Sequence, residues 1–199
     1  ALLCKTDLIS GMVGEFPELQ GIMGGYYANK EGKYIACLIR DHYLPKGSSD
    51  SISQDIGTNI ISLSDKIDHL TGFFSIGKFP SGSKDPFGLR RSALGIVKIL
   101  LDNRIHINID ELILLTTNLI SKKNNTLEVK IKSFIIDRFI ALMRDKGYKY
   151  DIINCYVHEN PKYFHEMYHK IDILENFLKS QRGEDLKSLW LRISNILAP

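Results

Sequence analysis

Four cations flank a short Gly/Pro/Ser-rich segment near the middle of the chain: Lys78, Lys84, Arg90 and Arg91, within IGKFPSGSKDPFGLRRSAL at 76–94. Ammonium and guanidinium groups so placed suit the binding of phosphate. Asp85 is a good helix N-cap, and Pro86 fits the first helical position, where a missing N–H costs nothing. The spacing predicts a basic loop running into a helix at Asp85-Pro86, with backbone N–H groups open to an anion. The competing expectation is a capped helix with a solvated basic face, or arginines paired with Asp65, Asp68 or Asp85. Arg91 lies near the apolar side of that helix and leans toward a structural role. Arg90 and Lys84 are assigned to phosphate, and Lys46 joins them as a further cation.

Other chemistries find less support. His165 and His169 stand one helical turn apart, but no third ligand follows in the HExxH manner, so zinc is not expected there. No GxSxG elbow is present, and no cysteine sits in an evident basic helix-start context. Cys4, Cys37 and Cys155 are odd in number and lack CxxC spacing, which fits a reducing compartment better than a disulfide or zinc framework. Neither a signal peptide nor an apolar run of membrane-spanning length is evident. The net charge of +3 and pI near 8.7 fall short of a dedicated nucleic-acid domain, so local charge must carry any RNA contact. Lys122-Lys123, Lys130, Lys132 and the Lys146–Lys149 cluster add basic surface later, diluted by acidic neighbours. Tyr148, Tyr150, Tyr156, Tyr163, Phe164 and Tyr168 have near-helical spacing, which favours core packing over stacking on bases.

The elements that must position these groups are helical. With 44% hydrophobic residues in 199, the chain can bury one good core or two modest ones. Leu2, Leu3, Thr6, Leu8, Ile9, Met12 and Val13 form a first stripe, ended by Gly14 and Phe16-Pro17. Leu19 to Tyr27 predicts a second helix, and Tyr34 to Ile39 a third, stopped by Pro45 and Gly47. A long helix is expected from about Gln54 to Phe74. The helix after the basic loop is apolar on more than one face, as in a buried helix. Residues 103–108 read as a connector. Four or five further helices follow, with breaks near 122–125, Gly147, 160–161 and Gly183. No convincing strand pattern exists, so the expected fold class is all-α.

Several segments, taken together, resemble a known family. They are EFPELQGIMG at 15–24, DHYLPKG at 41–47, SDKIDHLTGFFSIG at 64–77 and GSKDPFGLRRSALG at 82–95. Phe134-Ile135-Ile136-Asp137-Arg138-Phe139, Gly147-Tyr148, Asp151-Ile152-Ile153 and Arg192-Ile193-Ser194-Asn195-Ile196-Leu197 follow in order. In this sequence and spacing they resemble the beta subunit of bacterial tetrameric glycyl-tRNA synthetase, and the resemblance spans the whole chain.

The resemblance implies an HD-like helical domain over 1–104, then a helical body over 105–199 leading toward a missing C-terminal anticodon-binding domain. Because family members are several times longer, it also implies an internal piece. The whole enzyme would be a cytoplasmic heterotetrameric glycine–tRNA ligase in which the alpha subunit uses ATP and Mg. Alpha subunit and tRNA(Gly) are then the expected partners, with no membrane. This piece would hold no cofactor and no catalytic residue, and Lys46, Lys78, Lys84, Arg90 and Arg91 would contact tRNA.

HD phosphohydrolases bind metal through histidines, a His-Asp dyad and a final Asp, to which His42 and Asp65 correspond here. The adjacent dyad is missing and Asp41-His42 has reversed order, so these positions are expected to be vestigial. Two alternatives accompany this reading: an active metal-dependent HD-type phosphohydrolase, and a purely structural subunit-docking module.

Overall fold

Asp55 begins the longest helix of the first half by accepting hydrogen bonds from the Thr58 N–H at 2.7 Å and the Thr58 hydroxyl at 2.9 Å. From that cap, Leu63, Ile67, Leu70 and Phe74 repeat at helical spacing and are all buried. The helix closes where the N–H groups of Gly77 and Lys78 donate to the Phe74 and Phe73 carbonyls at 3.1 and 2.9 Å. This is α4, Ile56–Ser75.

The computed structural model describes residues 1–47, 49–80, 85–101, 105–120, 125–159 and 161–197. The first half contains α1 (Gly11–Glu15), α2 (Ile22–Ala28), α3 (Lys33–Asp41), α4 and α5 (Leu89–Leu101). The second half contains α6 (Ile109–Ile120), α7 (Asn125–Asp145), α8 (Tyr150–Val157), α9 (Phe164–Lys179) and α10 (Gln181–Leu197). Among the described residues there is no strand, and the fold is all-α.

Helix α5 occupies the centre. Leu89, Ala93, Ile96, Val97, Ile99 and Leu100 are all buried, and they span nearly half of its circumference. It packs against α4, α7 and α9. Ile131, Ile135 and Phe139 of α7 meet the same core, as do Ile153 of α8 and Ile171 of α9. One cluster of buried side chains thus runs continuously across residue 104, and the two expected parts share a core. Full burial of each Leu, Ile, Val, Phe or Met side chain contributes about 1.5–3 kcal/mol, which anchors α5 firmly. Tyr148, Tyr156 and Tyr168 pack against this core, as their spacing suggested, while Tyr150 is exposed.

Two expectations need correction. The first stripe does not make one helix: Thr6–Ile9 is a 3-10 turn, and α1 follows as a separate short helix. Leu2 is 99% and Ile9 90% exposed, and Asp7 is buried in place of an apolar residue. The cause is polar. The Ser10 hydroxyl donates to the Asp7 carbonyl at 2.6 Å and accepts from Val13 N–H, which starts a new helix at Gly11. Asp7 itself is drawn inward by the Gly21 N–H at 2.6 Å.

Near the chain's end, the break falls at Ser180 and not at Gly183, which lies inside α10. A Cβ on Gly183 would stand 2.2 Å from the Phe177 carbonyl oxygen and 2.7 Å from Leu178 Cα. That glycine permits close approach of α10 to the last turn of α9; it does not end a helix.

Candidate nucleic-acid interface

The Asp-Lys pair in the middle of α4 sends its two side chains to different partners. Asp65 accepts from the Lys5 ammonium, with Nζ 2.8 Å from Oδ2, and so ties the start of the chain to α4. Lys66 turns inward and donates to the Ser62 hydroxyl at 2.9 Å and the Tyr43 carbonyl at 3.1 Å. Leu44, whose carbonyl accepts from the Ser62 hydroxyl at 2.6 Å, completes this polar knot. Gly95 of α5 makes room for the Lys66 stem, since a Cβ there would lie 2.4 Å from Cε. Only 6% of Lys66 is exposed. Burial lowers its pKa to about 8, with Asp65 opposing the shift and Lys5 and Lys46 adding to it.

A cavity of about 730 Å³ opens over this knot, between the start of the chain, α4 and α5. Lys5, Lys46, Lys66 and Arg91 line it, against Asp65 and Asp68. Phe73 and Phe87, stacked at 4.5 Å, supply an apolar stretch of wall. Tyr43 also lines it, with Lys5 Nζ 3.9 Å from the ring centroid. Across the cavity, His69 Nδ1 lies 3.3 Å from Ser92 Oγ and links α4 to α5. Burial holds His69 below the usual imidazole range. A cavity with this charge balance and an aromatic wall favours a phosphate-bearing ligand.

The residues singled out in the sequence divide on this map. Lys46 and Arg91 are exposed and line the cavity together. Lys78 is exposed at the end of α4, outside the lining. Lys84 lies outside the described residues, as do Lys122 and Lys123. Arg90 is half-buried. Arg91, expected to lean toward structure, is thus the arginine that lines the cavity.

The helix start is also different. Helix α5 begins at Leu89, not at Pro86, and Asp85 spans the intervening turn. Its carboxylate accepts from Leu89 N–H at 2.8 Å and from Arg90 N–H at 2.9 Å. Donors predicted to meet a phosphate are thus occupied by the protein's own carboxylate.

The HD-type metal positions are close in space but do not form a metal centre. His42 is fully buried, and its Nδ1 lies 2.7 Å from the Ile39 carbonyl oxygen. Its pKa is lowered, by burial first and then by Lys5. Asp65 is held by an ammonium where the family of metal enzymes would place a cation. Among the described residues, neither belongs to a group of three donors within reach of one ion. The donor set does not fit the metal.

Lys5 and Lys66 are the residues that sequence reasoning missed as cavity groups. Lys5 acts across sixty residues of sequence, within a stripe read for its apolar periodicity, and carried no local signal. Lys66 had one, since a lysine flanked by Asp65 and Ile67 in an amphipathic helix must face inward or lie at the edge. The later basic residues have local partners: Lys132 pairs with Asp110, Lys130 lies over the Phe79 ring, and Lys146 lies over Tyr168.

Comparison with known proteins bears on the whole chain. A family model described as glycyl-tRNA synthetase beta subunit matches residues 1–158. The chain is 42% identical over 200 residues to the glycine–tRNA ligase beta subunit of Thermodesulfovibrio yellowstonii, covering 98% of this chain and 29% of that protein. It is 39% identical over 204 residues to that of Acidithiobacillus ferrooxidans, covering 99% and 29% respectively. The Rickettsia typhi protein of the same name is 40% identical over 199 residues, again with 99% and 29% coverage. The chain thus spans under a third of the length of these relatives.

Proposed function

The chain belongs to the glycyl-tRNA synthetase beta subunit family, and from that premise we propose that it helps a glycine–tRNA ligase hold tRNA(Gly) and assemble with a catalytic alpha subunit. The alpha subunit activates glycine with ATP and Mg in the cytoplasm, and this part of the beta subunit contributes no reacting group. The single observation that supports tRNA contact is the convergence of Lys5, Lys46, Lys66 and Arg91 on one open cavity beside an aromatic wall. Lys46 and Arg91 meet phosphates, Lys5 and Lys66 set the field behind them, and Lys78 extends the basic surface past the end of α4. Such contacts position an RNA by its backbone without reading its sequence.

For assembly, the supporting feature is α10, where Leu189, Trp190 and Ile193 are exposed on a helix that touches little else. A metal-dependent phosphohydrolase is the less favoured reading, because Lys5 holds Asp65 and His42 is buried against a carbonyl.

The test is tRNA(Gly) binding by the assembled synthetase at several salt concentrations. Replacing Lys46 and Arg91 together by alanine is expected to weaken binding and to flatten its salt dependence by roughly one released counterion per lost contact. Glycyl-adenylate formation is expected to be unchanged. Lost stability with an unaltered salt slope would sink the phosphate assignment.

A further inference from the structure

We propose that His106, His165 and Glu166 form a surface site for a divalent transition-metal ion, Zn2+ above others, independent of the basic cavity. His106 lies in the segment leading into α6, and the other two lie in the first turn of α9. One donor atom from each comes within 4.8 Å of the others. His106 Nε2 stands 3.9 Å from Glu166 Oε1, and the two imidazole rings meet edge to face at 4.6 Å. Two imidazoles and one carboxylate make a set that zinc accepts, with water in the fourth position. In a tetrahedron with bonds of about 2.0–2.1 Å, donors stand roughly 3.3 Å apart, so side-chain rotation alone closes the gap.

The backbone carrying these donors is already fixed. Ile105 and Ile109 bracket His106, Phe164 and Met167 bracket the other two, and all four are buried in the core. Ile109 N–H donates to the Lys162 carbonyl at 2.9 Å, joining the two segments directly. The Tyr163 ring lies 4.1 Å from the His106 ring and limits its freedom further. The donors themselves remain accessible, with His106 and Glu166 half-exposed side chains. An ion here would clamp the entry to α6 onto the start of α9. His169, one turn beyond His165, takes no part in this group.

The experiment is titration of the chelator-treated protein with Zn2+ by calorimetry and with Co2+ by visible absorption. Expected results are one equivalent bound, Co2+ bands of a four-coordinate ion, and a higher melting temperature with Zn2+. His106→Ala and His165→Ala should each weaken binding at least about tenfold, since even outer-shell losses cost that much. Glu166→Gln should weaken it as well, and His169→Ala should leave it unchanged. Folding of each variant is checked by circular dichroism. Binding no tighter than in a His106→Ala/His165→Ala double variant would overturn the proposal, leaving His106 and Glu166 as a surface pair. So would loss of binding in His169→Ala with retention in His106→Ala, which would place the ion on α9 alone.

Discussion

The ammonium of Lys5 rests 2.8 Å from Oδ2 of Asp65, and through that contact the first residues of the chain are fastened to the middle of α4. Neither side chain is sealed, at 36% and 29% exposure, so solvent screens their attraction. A double-mutant cycle with Lys5→Met and Asp65→Asn is expected to give a coupling of about 0.5–1 kcal/mol in chemical unfolding, falling as salt is raised. A coupling of zero at low salt would mean that the contact does not fasten the segment.

The Asp85 carboxylate satisfies two N–H groups at the first turn of α5. Asp85→Ala strips both acceptors and removes a negative charge from a helix start. A loss of about 1–2 kcal/mol in unfolding free energy is expected, with Asp85→Asn retaining part of it. If alanine costs nothing, those N–H groups have another acceptor, and the helix start is again a candidate anion site.

Much of this architecture was legible in the residues. Helix α4 follows from the apolar repeat through Leu63, Ile67 and Leu70, although Ile56 and Ile60, expected on the same core face, are exposed, and the buried character of α5 follows from its many-sided apolar composition. Both signals are local, with a period that one helix fixes by itself. The second helix was legible in the apolar run from Leu19 to Tyr27, but the first stripe was not, because its fold depends on Asp7 reaching Gly21 and Lys5 reaching Asp65. In the cavity, Lys46 could be picked by charge alone. Choosing between Arg90 and Arg91 required the phase of α5, and the helix start lay three residues later than the capping pattern indicated. Adjacent residues stand about 100° apart on any helix, so the packing of α5 against its neighbours decides which arginine faces the cavity.

Gly183 shows the same limit from the opposite side, since a glycine read as a stop marks a close approach. Gly183→Ala would drive its Cβ into the Phe177 carbonyl, a backbone atom that cannot swing away. A cost of about 1–3 kcal/mol is expected, localised to the contact between α9 and α10. Hydrogen exchange should show faster exchange in α10 with α5 and α7 unaffected. Uniformly faster exchange throughout would mean that α10 is integral to the main core.

Lys66 makes the strongest demand on pH. Its folded-state pKa, about 8, lies below the 10.5 of the unfolded chain because the ammonium is buried. At neutral pH that burial costs about 3 kcal/mol, partly offset by its hydrogen bonds to Ser62 and the Tyr43 carbonyl. Between these two values the unfolded chain binds more protons than the folded one, so this residue's contribution to stability rises with pH. The penalty is complete below about pH 8 and gone above about pH 10.5. Lys66→Met keeps the length of the stem and removes the titration. The unfolding free energy of the wild type, less that of Lys66→Met, should therefore increase by about 2 kcal/mol from about pH 7 to about pH 9.5. Other groups titrating in that range are common to both proteins and cancel in the difference. A flat difference would mean that the ammonium is solvated in the folded state, and that the cavity over α4 admits water down to the Leu44 carbonyl.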